Sequence, residues 1–207
     1  MRRPLRQLLL LTVAALVAAL AAAPAAGAME STKLRKNLCV TKGGGKFVDI
    51  PGFPGERIDR RLLPDIRWMR RRFDIYITDG YSTASYHAPN GEHPIGLALD
   101  IVPDYSRGGD WHDIARLANR TEPYQNQPRK PWRWVGWNGD AGHGWGHHLH
   151  LSYMHSYTPP RDPARIVYTR RCPEGRIRRK STSTATAESS SPSVLDVPIA
   201  PAVPETR

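Results

Sequence analysis

Hydrophobic and polar positions follow two rhythms in this chain. Residues 75–78 (IYIT) form a short β-type run closed by Asp79-Gly80. Residues 96–102 (GLALDIV) form a second, with Leu97, Leu99 and Ile101 on one face and Gly96, Ala98 and Asp100 on the other. RWVGW (133–137) and HLHLSYM (148–154) supply two more strands. In the last of them Leu149, Leu151 and Tyr153 face one way, and His148, His150 and Ser152 the other. Residues 110–120 carry the helical rhythm, with Asp110 as N-cap and Trp111, Ile114, Ala115, Leu117 and Ala118 as the apolar side. Within 56–73, Ile58, Leu62, Leu63, Ile66 and Met69 recur at near-helical spacing, and Pro64 predicts a kinked helix or two short ones. Strands interleaved with helices point to an α+β fold, a small sheet with helices packed against it.

The two ends of the chain read differently. MRRPLRQ followed by LLLLTVAALVAALAAAP and the small residues Ala26, Gly27 and Ala28 predicts a signal peptide over 1–28. Its apolar run ends at Pro24, short of the ~20 residues that span a bilayer, and no later segment approaches a span. Residues 29–55 are polar and glycine-rich and read as an extended lead-in. From 174 to 207 a basic stretch and then a Ser/Thr/Pro-rich one lack the apolar content to fold, which predicts a disordered tail. The stretch between signal and tail suffices for one domain, 56–173, expected to act as a monomer.

The only two cysteines, Cys39 and Cys172, bracket this domain. In an exported protein they are expected to pair, closing a long loop at ~4–5 kcal/mol in the chain-entropy model. The net charge is +11, or +8 without Arg2, Arg3 and Arg6. Such a surface suits an anionic cell envelope or a nucleic acid, but no nucleic-acid-binding motif accompanies it, so no nucleic-acid partner is expected.

The chemistry concentrates in HPIGLALD (93–100) and HHLHLS (147–152). If the two strands are neighbours, Asp100 and His150 converge, and His93 adds a third donor from the preceding turn. Two histidines and a carboxylate with an open fourth position match a catalytic zinc site.

HPIGLALD also resembles the H-x-x-G-x-A-x-D signature of the D-Ala-D-Ala carboxypeptidase family, and His148-Leu149-His150 resembles its H-x-H partner. The wider group takes in lysostaphin-type peptidases, murein endopeptidases and the hedgehog signalling domain, and the likeness covers about 56–155. It implies a small antiparallel sheet with flanking helices, one Zn2+ on His93, Asp100 and His150, and His148 as the catalytic histidine beside the metal. The implied activity is hydrolysis of a peptide bond in peptidoglycan by a secreted or envelope protein. A zinc-containing module that binds wall or signals without catalysis is the alternative.

The chain departs from that family at three places. Ser82 follows Gly80-Tyr81 where an arginine is usual, Gly91 replaces a serine, and Trp145 stands where a further histidine sometimes sits. His143 or His147 could take over that role, and Tyr81 is a further candidate for substrate contact. His87, His112 and His155 carry no motif and read as ordinary polar residues. Glu92 reads as a solvated turn residue in Asn90-Gly91-Glu92. Trp132, Trp134, Trp137 and Trp145 are either core or the lining of a cleft.

Overall fold

A computed structural model describes residues 27–141, 143, 146–156 and 166–179. The signal segment expected over 1–28 falls almost wholly outside these residues, as does the tail from 180 onward. Among the described residues no helix is long and apolar enough to cross a membrane.

The fold is mixed α+β with small, mainly antiparallel sheets. Strands β5 (Ile75–Asp79), β6 (Ala98–Pro103), β7 (Trp132–Gly136) and β8 (Leu149–Tyr153) form a four-stranded antiparallel sheet in the order β5-β6-β8-β7. The expected alternation holds in its two inner strands. Leu99, Ile101, Leu149 and Leu151 point into the main core with Ile75, Ile77, Trp132 and Val135, all at most 1 % exposed. Helix α2 (Trp111–Thr121) packs on β6 and β7, its start capped by the Asp110 carboxylate, which accepts from the N–H groups of His112 and Asp113. Ile114, Leu117 and Ala118 are its buried side.

The expected kinked helix over 56–73 takes another form. Arg57–Asp59 is strand β4, Arg60–Leu62 a 3-10 turn, and only Leu63–Arg70 is α-helix, α1. Pro64 lies in the first turn, where its missing N–H costs nothing, so it starts the helix instead of bending it. Asp59 caps the 3-10 turn and forms a fully buried ion pair with Arg61 at 2.7 Å.

The lead-in is part of the fold. β1 (Glu30–Arg35) and β2 (Leu38–Lys42) form a hairpin, β3 (Phe47–Asp49) pairs with β4, and a second sheet runs β10-β1-β2-β9. Here β9 is Ile166–Thr169 and β10 is Arg176–Arg179, which pairs in parallel with β1. An exposed strand therefore occupies 176–179, beyond the boundary expected at 173. Cys39 on β2 is disulfide-bonded to Cys172 across 133 residues, with Cα atoms 5.2 Å apart. Nearby, the buried Asp65 of α1 accepts backbone N–H bonds from Arg170 (2.7 Å) and Arg171 (2.6 Å), holding helix and C-terminal strand segment together.

Candidate metal centre

Asp100 sits on an inner strand with polar neighbours on both sides. Directly opposite it are His150 on β8 and Asp79 on β5, and Gly136 on β7 lies opposite His150. A single row across the sheet thus reads Asp79, Asp100, His150, Gly136.

Both edge strands need a bulge to serve this row. Ile77 opposes Ile101, yet Asp79 opposes Asp100, so one residue is inserted between them. Regular alternation would put Asp79 on the core face with Ile75 and Ile77; the bulge turns it to the face of Asp100. A second bulge separates Trp132, opposite Tyr153, from Trp134, opposite Ser152. Trp132 therefore joins the core, while Trp134 turns its ring to within 4.8 Å of the His150 ring. Of the tryptophans read as core or cleft, Trp132 is core, Trp134 borders the site, and Trp145 lies outside the described residues.

His93 enters from the 3-10 turn His93–Ile95, which closes on Gly96 in the left-handed region at φ 66°. A Cβ at Gly96 would also lie 2.8 Å from the Phe47 ring, so a side chain there would be both strained and crowded. Nδ1 of His93 donates to the Gly80 carbonyl at 2.5 Å, which leaves Nε2 as the lone-pair nitrogen facing the site.

The ligand-type atoms come together closely. His93 Nε2 lies 3.4 Å from Asp100 Oδ1 and 3.4 Å from His150 Nδ1, and His150 Nδ1 lies 3.0 Å from Asp100 Oδ1. Metal–ligand bonds of about 2.0–2.1 Å at tetrahedral angles place donors about 3.3 Å apart, so the three residues fit a small divalent cation. Nε2 of His150 meets Ser152 Oγ at 3.1 Å, so a proton on Nε2 has an acceptor there and Nδ1 can turn its lone pair to a cation. His93 and His150 are sealed from solvent, whereas the Asp100 side chain is 14 % exposed and opens the site to the surface.

Asp79, His87, His93 and Asp100 form an overlapping group whose donor atoms all lie within 4.8 Å of one another and which could hold a metal ion. His87 Nε2 is 2.9 Å from Asp79 Oδ2, and the His87 ring stacks on His93 at 4.0 Å. The triad with His150 is the tighter of the two groups, with edges of 3.0–3.4 Å. Neither Asp79 nor His87 was among the expected donors; their signal in the sequence was only their place at the end of the 75–79 stretch and in the loop that follows it.

Charge around the group is unbalanced. Burial pushes the Asp100 carboxyl up, but the hydrogen bonds that His150 and His93 donate when their rings are doubly protonated outweigh it and hold it well below the usual carboxylate range. Glu56 reaches the same side: burial and then the negative charge of Asp79 raise its carboxyl, against a backbone hydrogen bond from Gly80.

The remaining candidates divide. His148 Nε2 is 3.5 Å from Asp100 Oδ1, on the rim of the triad. The His143 ring lies 4.3 Å from that of His148; burial, then His148 and His150, pull His143 down to about 4, so it is neutral at pH 7. His147 stands apart, between the rings of Trp111 (3.9 Å) and Trp137 (5.2 Å). Tyr81 stacks on Phe47 at 4.0 Å, with the Arg57 guanidinium 5.7 Å from its ring centre. His112 is exposed on α2.

Glu92 and His155 are not surface residues. Glu92 is 3 % exposed, with Arg133 Nε at 2.7 Å and His155 Nε2 at 3.4 Å. Its carbonyl also accepts from Ile95 and Leu97. Glu92 thus anchors the turn that carries His93, and its cationic partner is placed by the β7 bulge.

No family model matches the chain, and neither a curated protein nor a solved structure is matched by it.

Proposed function

We propose that His93, Asp100 and His150 hold one zinc ion and that the protein is an exported peptidase hydrolysing a peptide bond of peptidoglycan. The observation that carries this reading is the mutual 3.0–3.4 Å spacing of one carboxylate oxygen and two imidazole nitrogens. When bound there, zinc supplies a Lewis acid that polarises a carbonyl and makes water nucleophilic near neutral pH.

The chain's own residues supply the rest. The Gly80 carbonyl and Ser152 hydroxyl offer acceptors for His93 Nδ1 and His150 Nε2, which would let the two rings present a lone pair to the ion. His148, beside Asp100 and outside the triad, offers Nε2 to accept a proton from water or to hydrogen-bond the developing oxyanion. Neutral His143 packs against it and adds no competing charge. Trp134 covers the His150 side and excludes water there. The absence of an arginine after Gly80-Tyr81 favours a bond within a cross-link or stem over strict release of a C-terminal residue.

The disulfide and the lack of a spanning helix among the described residues are consistent with an extracytoplasmic location. The test is digestion of purified cell-wall sacculi, with products separated by mass. Zinc-dependent release of muropeptides supports the peptidase. Zinc bound without any release would leave a non-catalytic wall-binding or signalling module.

A further inference from the structure

Six metal-capable side chains converge where three suffice for one ion. Asp79, His87, His93, Asp100, His148 and His150 all crowd one face of β5, β6 and β8 and the loops beside them. His148 belongs to the rim and the triad accounts for three. Asp79 and His87 are the remaining two: Asp79 lies across Asp100 from His150, and His87 is paired with Asp79.

Asp100 stands between the two sets. It is the middle member of the row Asp79, Asp100, His150, with one partner directly across each neighbouring strand. Its Oδ1 is the oxygen that meets His93, His148 and His150. A carboxylate has a second oxygen, and bridging carboxylates of this kind hold paired cations in two-metal hydrolytic sites. The Asp79 side chain reaches that face only because of the bulge at Ile77–Asp79, an irregularity that the core side of β5 does not need.

We propose that Asp79 and His87, together with the Asp100 carboxylate, form a second divalent-cation position beside the His93/Asp100/His150 ion. This rests on the reading of the triad as a zinc site. The ligand class is a d-block divalent cation that accepts imidazole nitrogen and carboxylate oxygen together, zinc being the probe. Glu56, drawn to the same side, would face the second ion as an additional anion. His87 Nε2 donates to Asp79, so cation binding there requires that Nε2 give up this proton.

The experiment is zinc titration of the purified full chain by calorimetry, with elemental analysis of the dialysed protein. Three single variants accompany it: Asp79→Asn, His87→Phe and His150→Ala. His87→Phe keeps a flat ring against His93 while removing the donor nitrogen, and a thermal melt of each variant checks that it folds. The expected result is two equivalents for the wild type and one for Asp79→Asn and His87→Phe. Cobalt loading adds a readout independent of affinity: two ions sharing Asp100 give a spin-coupled signal, which both variants abolish. One equivalent in the wild type, lost in His150→Ala and kept in the other two, would overturn the second position and leave the triad standing. One equivalent kept in His150→Ala but lost in Asp79→Asn would overturn both.

Discussion

Asp100 and His150 are directly paired across β6 and β8, and Oδ1 of the first lies 3.0 Å from Nδ1 of the second. Two residues fifty positions apart are thereby fixed by backbone hydrogen bonds before any metal arrives. The arrangement separates ligand roles from chemical ones. If the triad holds zinc as proposed, His150→Ala removes one of its three donors and is expected to abolish tight zinc binding. His148→Ala is expected to keep zinc and to lower turnover by ~10²–10⁴-fold, the usual worth of a proton-transfer group. Elemental analysis beside a muropeptide-release assay checks both; zinc lost from His148→Ala would make it a ligand.

The Glu92–Arg133 pair under the His93 turn makes a second test. Both side chains are at most 3 % exposed, so breaking the pair from one side leaves a buried charge without its nearest counter-charge. Glu92→Gln or Arg133→Met is expected to cost ~3–5 kcal/mol by denaturant unfolding. The double variant is expected to lose less than the sum of the two singles. Additive losses would mean that the two groups do not act as a pair.

Much of the site was legible in the sequence because it lies on regular elements. Alternation in GLALDIV and HLHLSY sets Asp100 and His150 opposite leucine faces, and the Asp110 cap follows from local chemistry alone. What escaped depends on irregular backbone or distant partners. Asp79 reads as a core-face position unless the bulge after Ile77 is known, and His87 lies in a loop with no period. Glu92 follows Asn90-Gly91, which signals solvent, and its buried partner Arg133 is placed by a bulge forty residues later. Residues 29–55 read as a lead-in because glycines interrupt them, whereas β1 and β2 gain their stability from pairing with β9 and β10 at the far end of the chain.

Stability is expected to depend on pH through Asp65. Burial raises its carboxyl to about 7, although the N–H groups of Arg170 and Arg171 favour the ionised form. A carboxyl raised in the fold from 3.8 contributes stability that is fully present below about pH 4 and is lost as pH rises through 7. Asp65→Asn should remove that slope between pH 4 and 8. Urea midpoints measured across the range check it, and an unchanged slope would contradict the assignment.

The Cys39–Cys172 bond closes 133 residues, so its loss is expected to lower stability by up to ~5 kcal/mol. Unfolding of a Cys39→Ser/Cys172→Ser variant measures this. Intact mass before and after reduction and alkylation shows whether the purified protein carries the bond, and two thiols reactive without reductant would contradict it.

The most direct measurement is the anomalous scattering of a zinc-loaded crystal at the zinc edge. A peak about 2.0–2.2 Å from His93 Nε2, Asp100 Oδ1 and His150 Nδ1 together is the predicted result. Zinc bound elsewhere, or none at those three atoms, would contradict it.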